Sequence, residues 1–122
     1  MVKISVDEAY AFDYYSILCI KKENGLSIEN TINLIKEDII THIGAELFNN
    51  IINSNEYINL YMSNKKTFDA VDKAKNDDVL ASYVDKCNYL RMVNKKYLQT
   101  KFFLNELVES KIGYEKIKLE NE

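Results

Sequence analysis

Apolar side chains recur with a helical period over residues 78–110, the longest patterned stretch of the chain. This stretch contains no Gly and no Pro, and its apolar residues fall on one stripe of a helix with 3.6 residues per turn. The stripe comprises Val79, Leu80, Tyr83, Cys87, Leu90, Tyr97, Leu98 and Val108. The pattern predicts a long helix that begins at Asp77 or Asp78 and ends near Lys111, ahead of Gly113.

Four shorter segments carry the same period. They span residues 6–23, 28–42, 45–52 and 55–75. The first follows a capping box, in which Ser5 is the cap and Glu8 lies three residues on, and it stops before Gly25. Ser27 and Ser54 are the expected caps of the second and the last of these segments.

These elements together predict one all-α domain over residues 1–122. We expect a bundle of four to five helices with one long C-terminal helix, because each segment has an apolar face to bury and the turns between segments are short. Residues 114–120 instead alternate with a period of two, as strands do. They are expected to pair with residues 2–4 as a minor two-stranded patch.

Three polar residues lie in the middle of the apolar stripe of the long helix. Lys101 and Asn105 follow Asn94 by seven and eleven residues, which places all three within about 40° on the helix. A buried amide or ammonium group is costly unless it is paired, so each should meet a partner. Asp13 and Lys21 bring charge to the core-facing side of the first helix, and Asp13 is the expected partner of Lys101.

This polar line has two interpretations. In one, Asp13, Asn94, Lys101 and Asn105 form a satisfied network that fixes the register of the helices. In the other, the same residues line a pocket between the first and the long helix that binds a small polar ligand. Neither interpretation assigns a catalytic residue.

A second apolar streak lies on the opposite side of the long helix and consists of Met92, Phe103 and Leu107. The first helix is also apolar on two sides. Exposed streaks of this kind would form apolar patches on the surface. We therefore expect a homo-oligomer, a dimer or larger, with the first and the long helix at or near the interface. The alternative is a monomer in which the long helix is surrounded.

Composition narrows the classes of partner. The net charge is −3, and Arg91 is the only arginine beside 15 lysines. Proteins that bind nucleic acid usually carry a basic stripe, so we expect no nucleic-acid partner. No apolar run is long enough to span a membrane, and an acidic pair stands where a signal peptide would be apolar, which predicts a cytoplasmic protein without a membrane partner. The excess of Lys, Asn and Ile indicates an AT-rich genome.

Metal and redox chemistry has few candidate residues. Cys19 and Cys87 are far apart in sequence, and each lies among apolar residues, as reduced and packed thiols do. His42 is the only histidine, and no further ligands surround it at the short spacings of a metal site. We expect no metal and no cofactor.

Two stretches have a recognisable spacing. They consist of Ser5, Glu8, Asp13, Ser16, Ile17, Leu18, Ile20 and Lys21, and of Asn94, Lys96, Lys101, Leu104, Asn105 and Leu107. A weaker echo lies between them at Asn64, Phe68 and Asp72. Together they resemble an uncharacterised family of small helical bacterial proteins, often found beside glycosyltransferase genes of cell-surface glycan clusters.

The resemblance implies a glycan-related context and no particular activity. Lys96 and Tyr97 stand where the family has a pair of arginines, and they cannot reproduce the forked grip of two guanidinium groups on an anion. Lys21 and Lys96 lie within the resembling stretches. The candidate ligand-binding residues are therefore Asp13, Lys21, Asn94, Lys96, Lys101 and Asn105.

Three classes of function are consistent with these patterns. The leading hypothesis is a non-enzymatic accessory or binding protein that works through an oligomeric surface or an interhelical polar pocket. A second is a viral or bacterial protein that sequesters a small, nucleotide-like molecule. A third is a small helical-bundle enzyme for an anionic substrate, in which Lys96 or Lys101 would take the place of the usual arginines.

Overall fold

The computed structural model of the protein describes residues 5–73 and 78–104, and within these it contains five helices and no strand. The helices are α1 (Glu8–Glu23), α2 (Glu29–Ile43), α3 (Ala45–Ile52), α4 (Asn55–Lys73) and α5 (Asp78–Lys101). The predicted all-α bundle is confirmed. The two-stranded patch predicted for the termini lies outside the described residues.

Side-chain caps mark two helix starts. Asp7 caps α1, and its Oδ1 accepts a hydrogen bond from the backbone N–H of Tyr10 at 2.8 Å. The prediction that Ser5 caps this helix is therefore wrong by two residues; a carboxylate cap also complements the positive end of the helix dipole. Ser54 caps α4 as predicted, because its Oγ accepts the N–H of Tyr57 at 3.1 Å.

The second helix starts without the predicted cap. Ile28 occupies the N-cap position of α2 and makes no side-chain capping hydrogen bond, so Ser27 does not have the expected role. At its other end the helix stops at Gly44, whose φ of 91° is costly for residues with a Cβ. The same glycine precedes α3, so the predicted short helix over 45–52 is confirmed.

An aromatic cluster forms the centre of the bundle. Phe12 of α1 stacks on Phe48 of α3 with ring centroids 5.7 Å apart, and Tyr57 of α4 meets Phe12 edge-on at 6.1 Å. The other buried members of this core are Ile39, Ile51, Leu60 and Leu98. Because α1 packs against α2, α4 and α5, both of its apolar sides are largely covered within one chain.

The buried face of α5 differs from the predicted stripe. Cys87 and Leu98 are buried as expected, but Tyr83, Leu90 and Tyr97 are exposed. Helix α5 turns the side that carries Arg91 and Leu98 toward the rest of the bundle. The second predicted streak is also uncovered among the described residues, since Met92 and Phe103 are exposed; Leu107 lies outside them.

Helix α5 ends ten residues before the predicted end at Lys111. The N–H of Leu104 bonds to the carbonyl of Gln99 at 2.9 Å, and the N–H of Phe103 bonds to the carbonyl of Thr100 at 3.3 Å. This pair of bonds is a Schellman motif, which places Phe103 in the left-handed region with a φ of 52°. Its side chain is 93% exposed.

Three tyrosines around the core have raised pKa values. Burial, followed by the charge of and the hydrogen bond with Cys19, raises the pKa of Tyr15 from 10.0 to about 12. Burial is also the largest cause for Tyr57, whose pKa rises further. For Tyr61, burial and then the hydrogen bond that its hydroxyl donates to Glu23 raise the pKa.

We predict that alkaline pH destabilises the fold through these tyrosines. A phenol with a raised folded-state pKa contributes stability that is complete below pH 10, its unfolded value, and is lost as pH rises toward about 12 for Tyr15. Each such group steepens the loss, and solvent screening makes the contribution of the partly exposed Tyr15 and Tyr61 smaller than that of a fully buried phenol. Urea unfolding between pH 8 and pH 11.5 should show a shallower loss for Tyr15→Phe than for wild type. Equal slopes would contradict the prediction.

We also predict that Phe103→Gly stabilises the protein. The left-handed backbone costs a residue with a Cβ about 1–2 kcal/mol, and part of the gain is offset by the greater freedom of glycine in the unfolded chain. The expected increase in the free energy of unfolding is about 0.5–1 kcal/mol, measured by urea unfolding at neutral pH. Phe102→Gly is the control and should destabilise, because Phe102 packs against the core. Destabilisation by both variants would argue against the strained cap.

Candidate functional site

A buried polar cluster joins three helices. Asp13 of α1 accepts hydrogen bonds at both carboxylate oxygens, from Arg91 Nη2 at 3.1 Å and from Asn64 Nδ2 at 2.8 Å. Asn64 Nδ2 also donates to Ser16 Oγ at 2.6 Å, and the Ser16 hydroxyl donates to the carbonyl of Asp13 at 2.7 Å. Asp13, Ser16 and Asn64 are all buried. We name Asp13, Ser16, Asn64 and Arg91 together the Asp13 cluster.

The arginine of this cluster has a role that lysine cannot take. While Nη2 meets Asp13, Nη1 of Arg91 donates to Asn88 Oδ1 at 3.2 Å. A guanidinium group offers several donors in a fixed plane, whereas an ammonium group is a point charge on a flexible stem. The chain has 15 lysines, and its single arginine stands at this position.

The predicted pair of Asp13 and Lys101 is wrong. Asp13 binds Arg91, whereas Lys101 Nζ lies 3.6 Å from Glu56 Oε1 and its side chain is 60% exposed. The physical reason is the distance between the two residues along the axis of α5. Lys101 lies ten residues beyond Arg91, which is about 15 Å at 1.5 Å per residue, so the two cannot reach the same carboxylate.

The other predicted site residues are dispersed. Asn94 donates to Ser63 Oγ and, at 3.5 Å, to the carbonyl of Asn59, so it faces α4 and not α1. Lys21 lies partly buried in the last turn of α1, where a cation suits the helix dipole. Lys96 is exposed on α5. Asn105 lies outside the described residues. Asp13, Asn94 and Lys101 therefore do not converge on the expected pocket between α1 and the long helix.

Asn94 instead lies at the centre of a groove between α4 and α5. Two adjoining cavities of about 440 and 360 Å³ share Asn59 and Asn94 in their walls. The larger cavity is also lined by Met62, Ser63, Lys65, Lys66, Asp69, Cys87 and Leu90. The smaller one is also lined by Glu56, Tyr97, Thr100 and Lys101. We name the two cavities together the α4–α5 groove.

One edge of the groove is an exposed apolar line on α5. Leu90 and Tyr97 line the groove, and Tyr83 lies seven residues before Leu90. We name these three residues the α5 ridge. Met62, also exposed, lines the opposite side on α4. The lining of the groove therefore combines a larger apolar part with amide, hydroxyl and charged groups.

A third cavity of about 280 Å³ lies beside the Asp13 cluster. Its walls come from α1, α4 and α5 and consist of Ile17, Ile20, Asn64, Thr67, Phe68, Val71, Asp72 and Arg91. The lining is largely apolar. Because Asp13 already balances the charge of Arg91, this cavity does not present a free cation to an anionic ligand.

The thiols show no sign of activation. Cys19 and Cys87 are both free. Burial, more than any neighbour, raises the pKa of Cys19, which makes it a weaker nucleophile at neutral pH. Cys87 is buried and hydrogen-bonds with Tyr83, an interaction that raises the pKa of that tyrosine.

Within residues 5–73 and 78–104, no three His, Cys, Asp or Glu side chains converge as they would around a metal ion. None of the helices in the same part of the chain is long and apolar enough to cross a bilayer.

Several residues of these sites were not singled out by pattern. Ser63 and Asn59 look like ordinary exposed residues of α4, and only contact with α5 gives them a role. Arg91 could have been identified from the sequence, because it is the only arginine among the basic residues. Asn64 lies in the weaker echo of the family resemblance.

Comparison with models of protein families, with curated proteins and with solved structures found no match to this chain.

We predict strong energetic coupling between Asp13 and Arg91. Asp13→Ala leaves Arg91 and Asn64 without their acceptor and should cost about 3 kcal/mol of unfolding free energy. Because Arg91→Ala removes the same interaction, the double variant should lose less than the sum of the single variants, by about 1–3 kcal/mol. The measurement is a double-mutant cycle by urea unfolding.

The matched control uses the pair that pattern alone predicted. Asp13→Ala and Lys101→Ala should be additive within about 0.5 kcal/mol, because these residues share no partner. Coupling in the control cycle, or its absence in the cycle with Arg91, would contradict the observed pairing.

Proposed function

We propose that this protein is a non-enzymatic helical accessory protein that assembles as a homo-oligomer through the α4–α5 groove and the α5 ridge. The observation that carries the proposal is the distribution of exposed apolar side chains. Of the twelve large ones in the described residues, eight lie on α4 and α5. They are Ile58, Met62, Val71, Tyr83, Tyr89, Leu90, Met92 and Tyr97. Three of the eight, Met62, Leu90 and Tyr97, line the α4–α5 groove, and exposed apolar side chains grouped in this way are typical of an interaction surface.

The position of α1 within the bundle leaves little of this helix for an interface with a second copy. Both α1 and the long helix were expected to contact a second copy. Because α1 is enclosed by α2, α4 and α5, Tyr14 is its one large apolar side chain that stays exposed. The proposal therefore places the interface on the α4–α5 pair.

The chemistry of the Asp13 cluster supports a non-enzymatic role. Catalysis on an anionic substrate requires cationic donors that are free to meet it. Arg91 is the chain's only arginine, and its Nη2 is held by Asp13. No buried side-chain polar atom among the described residues lacks a hydrogen-bond partner, as in a network that stabilises a fold.

The biological setting follows from the family resemblance. We propose that the assembly acts in the cytoplasm in a glycan-related context, next to enzymes that transfer sugars. In such a setting a small helical protein would organise partners on its surface and would not carry out a reaction itself.

A second candidate function is the sequestering of a small, nucleotide-like anion in the groove. The observation that favours it is the pair Lys65 and Lys66 in the wall of the larger cavity, beside the amides of Asn59 and Asn94. Lys65 Nζ is already 3.8 Å from Glu23, so Lys66 would supply most of the attraction. Isothermal titration calorimetry with nucleoside mono- and diphosphates tests it: binding heat lost in Lys66→Ala would support this function over assembly alone.

We predict that Leu90→Asp reduces the protein to a monomer. A carboxylate in the centre of this contact is desolvated at a cost that exceeds its attraction to the exposed Lys65 and Lys66 nearby, which weakens association strongly. The measurement is the mass in solution by size-exclusion chromatography with multi-angle light scattering. The control is Leu34→Asp on α2, because Leu34 is 45% exposed and Leu90 is 48% exposed.

The control variant should keep the wild-type mass, since α2 lies away from the proposed interface. A wild-type protein that is monomeric at concentrations of about 100 μM would contradict the proposal. Dissociation of both variants to the same degree would place the interface elsewhere.

A further inference from the structure

The shape of the α4–α5 face indicates what it binds. The α5 ridge repeats every seven residues, and seven residues fall only about 20° short of two helical turns, so Tyr83, Leu90 and Tyr97 form a nearly straight line along α5. Beside this line runs the groove, with Met62 on its far side. A ridge and a groove thus lie in parallel on the same surface. Helices pack by seating such ridges in such grooves.

The ridge and the groove also match in chemistry. A tyrosine presents an apolar ring and a polar hydroxyl tip. The lining of the groove is mainly apolar, and Asn59, Asn94 and Lys66 add polar groups to it. The ring of Tyr97 would lie against the apolar part while its hydroxyl reaches a polar group such as the Asn59 amide. Leu90 and Tyr83, whose hydroxyl already meets Cys87, would contribute apolar contact.

The charges on this face complement those on the same face of a second copy. Lys66 and Asp69 are three residues apart on α4, and both line the larger cavity. When the same patch meets itself across a two-fold axis, a residue i contacts j of the partner while j contacts i. Lys66 of one copy can therefore meet the partner's Asp69, and the reverse pair forms at the same time. A face with one sign of charge would repel its own copy.

The available area is sufficient for a specific dimer. Helix α4 has 19 residues, which corresponds to a length of about 28 Å. Two adjacent helices about 10 Å apart present a face about 20 Å wide. The product is about 550–600 Å² on each partner, or about 1,100–1,200 Å² in total, at the boundary between weak and stable protein interfaces.

We infer that a second copy of this chain docks on the α4–α5 face in a two-fold arrangement, with the α5 ridge of each copy seated in the α4–α5 groove of the other. The Tyr97 hydroxyl of one copy meets the polar groups that line the groove of the other. This inference rests on the proposed homo-oligomer and adds the symmetry of its interface and the residues that meet there.

Photo-crosslinking in the full chain tests the arrangement. Tyr97 is replaced by p-benzoylphenylalanine, and the variant is mixed with ¹⁵N-labelled wild-type protein before irradiation. Mass spectrometry of the digest then shows which segment of the other copy is joined to position 97. We expect crosslinks between differently labelled chains at residues 58–66 of α4, with Met62 preferred because benzophenones react readily with methionine. The control places the same probe at Tyr89, which is exposed on α5 and is not part of the ridge; it should give no such product.

The outcomes separate this inference from the proposed function. A dimer by light scattering whose crosslinks from position 97 fall outside α4 would overturn the ridge-in-groove arrangement and leave the homo-oligomer in place. A monomer without crosslinks between chains would overturn both. A dimer with crosslinks from position 97 to residues 58–66, and none from position 89, supports both.

A second variant tests the role of the Tyr97 hydroxyl. Tyr97→Phe keeps the ring and removes the hydroxyl, so it should raise the dimer dissociation constant about tenfold, as expected for the loss of one hydrogen bond at a buried polar group. Sedimentation equilibrium measures the constant. An unchanged constant in Tyr97→Phe would overturn the pairing of the hydroxyl with the polar groups that line the groove.

Discussion

The pairing of the buried Asp13 carboxylate is the constraint on which the rest of the structure depends. A carboxylate in an apolar bundle is costly unless its oxygens are satisfied. Here Arg91 and Asn64 satisfy one oxygen each, so α1, α4 and α5 must meet at one level and in one rotation. The rotation of α5 that turns Arg91 inward also turns Tyr83, Leu90 and Tyr97 outward. The exposed ridge is thus a consequence of the buried pair.

This connection explains why two apolar streaks coexist on one helix. Leu98 and Cys87 pack within the chain, while the ridge remains available for a contact with another copy. The same packing leaves α4 and α5 side by side with a groove between them. In the proposed assembly, stability within the chain and association between chains use adjacent faces of the same helix.

Much of the fold could be predicted from the sequence, and the misses have identifiable causes. The helical period marked all five helices, and Ser54 marked the start of α4. The partner of Asp13 was missed because a helical wheel gives the direction of a side chain but not its height against a neighbouring helix. Arg91 and Lys101 both point toward the bundle side on a wheel, but they differ by about 15 Å along the axis.

The remaining misses concern α5. Gly113 was the obvious stop, whereas the actual end at Lys101 uses Phe103 in a left-handed conformation that no local residue preference signals. Which stripe of α5 is buried is also decided by tertiary contacts and not by the local sequence. The inward face of α5 contains an arginine, so a hydrophobicity pattern does not identify it as buried. The exposed Tyr and Leu residues form an apolar stripe that the same pattern identifies as buried. Asn59 and Ser63 become recognisable as site residues only when α4 and α5 are packed together, because both accept hydrogen bonds from Asn94 on α5.

Native mass spectrometry on protein purified without added ligand is the most direct test of assembly through the α4–α5 face. It weighs the intact assembly and any retained molecule in one spectrum. We predict a species with twice the mass of the 14.2-kDa chain and no additional mass. A single chain across the accessible concentration range would contradict assembly, and a chain that carries a defined extra mass would favour a ligand in the groove.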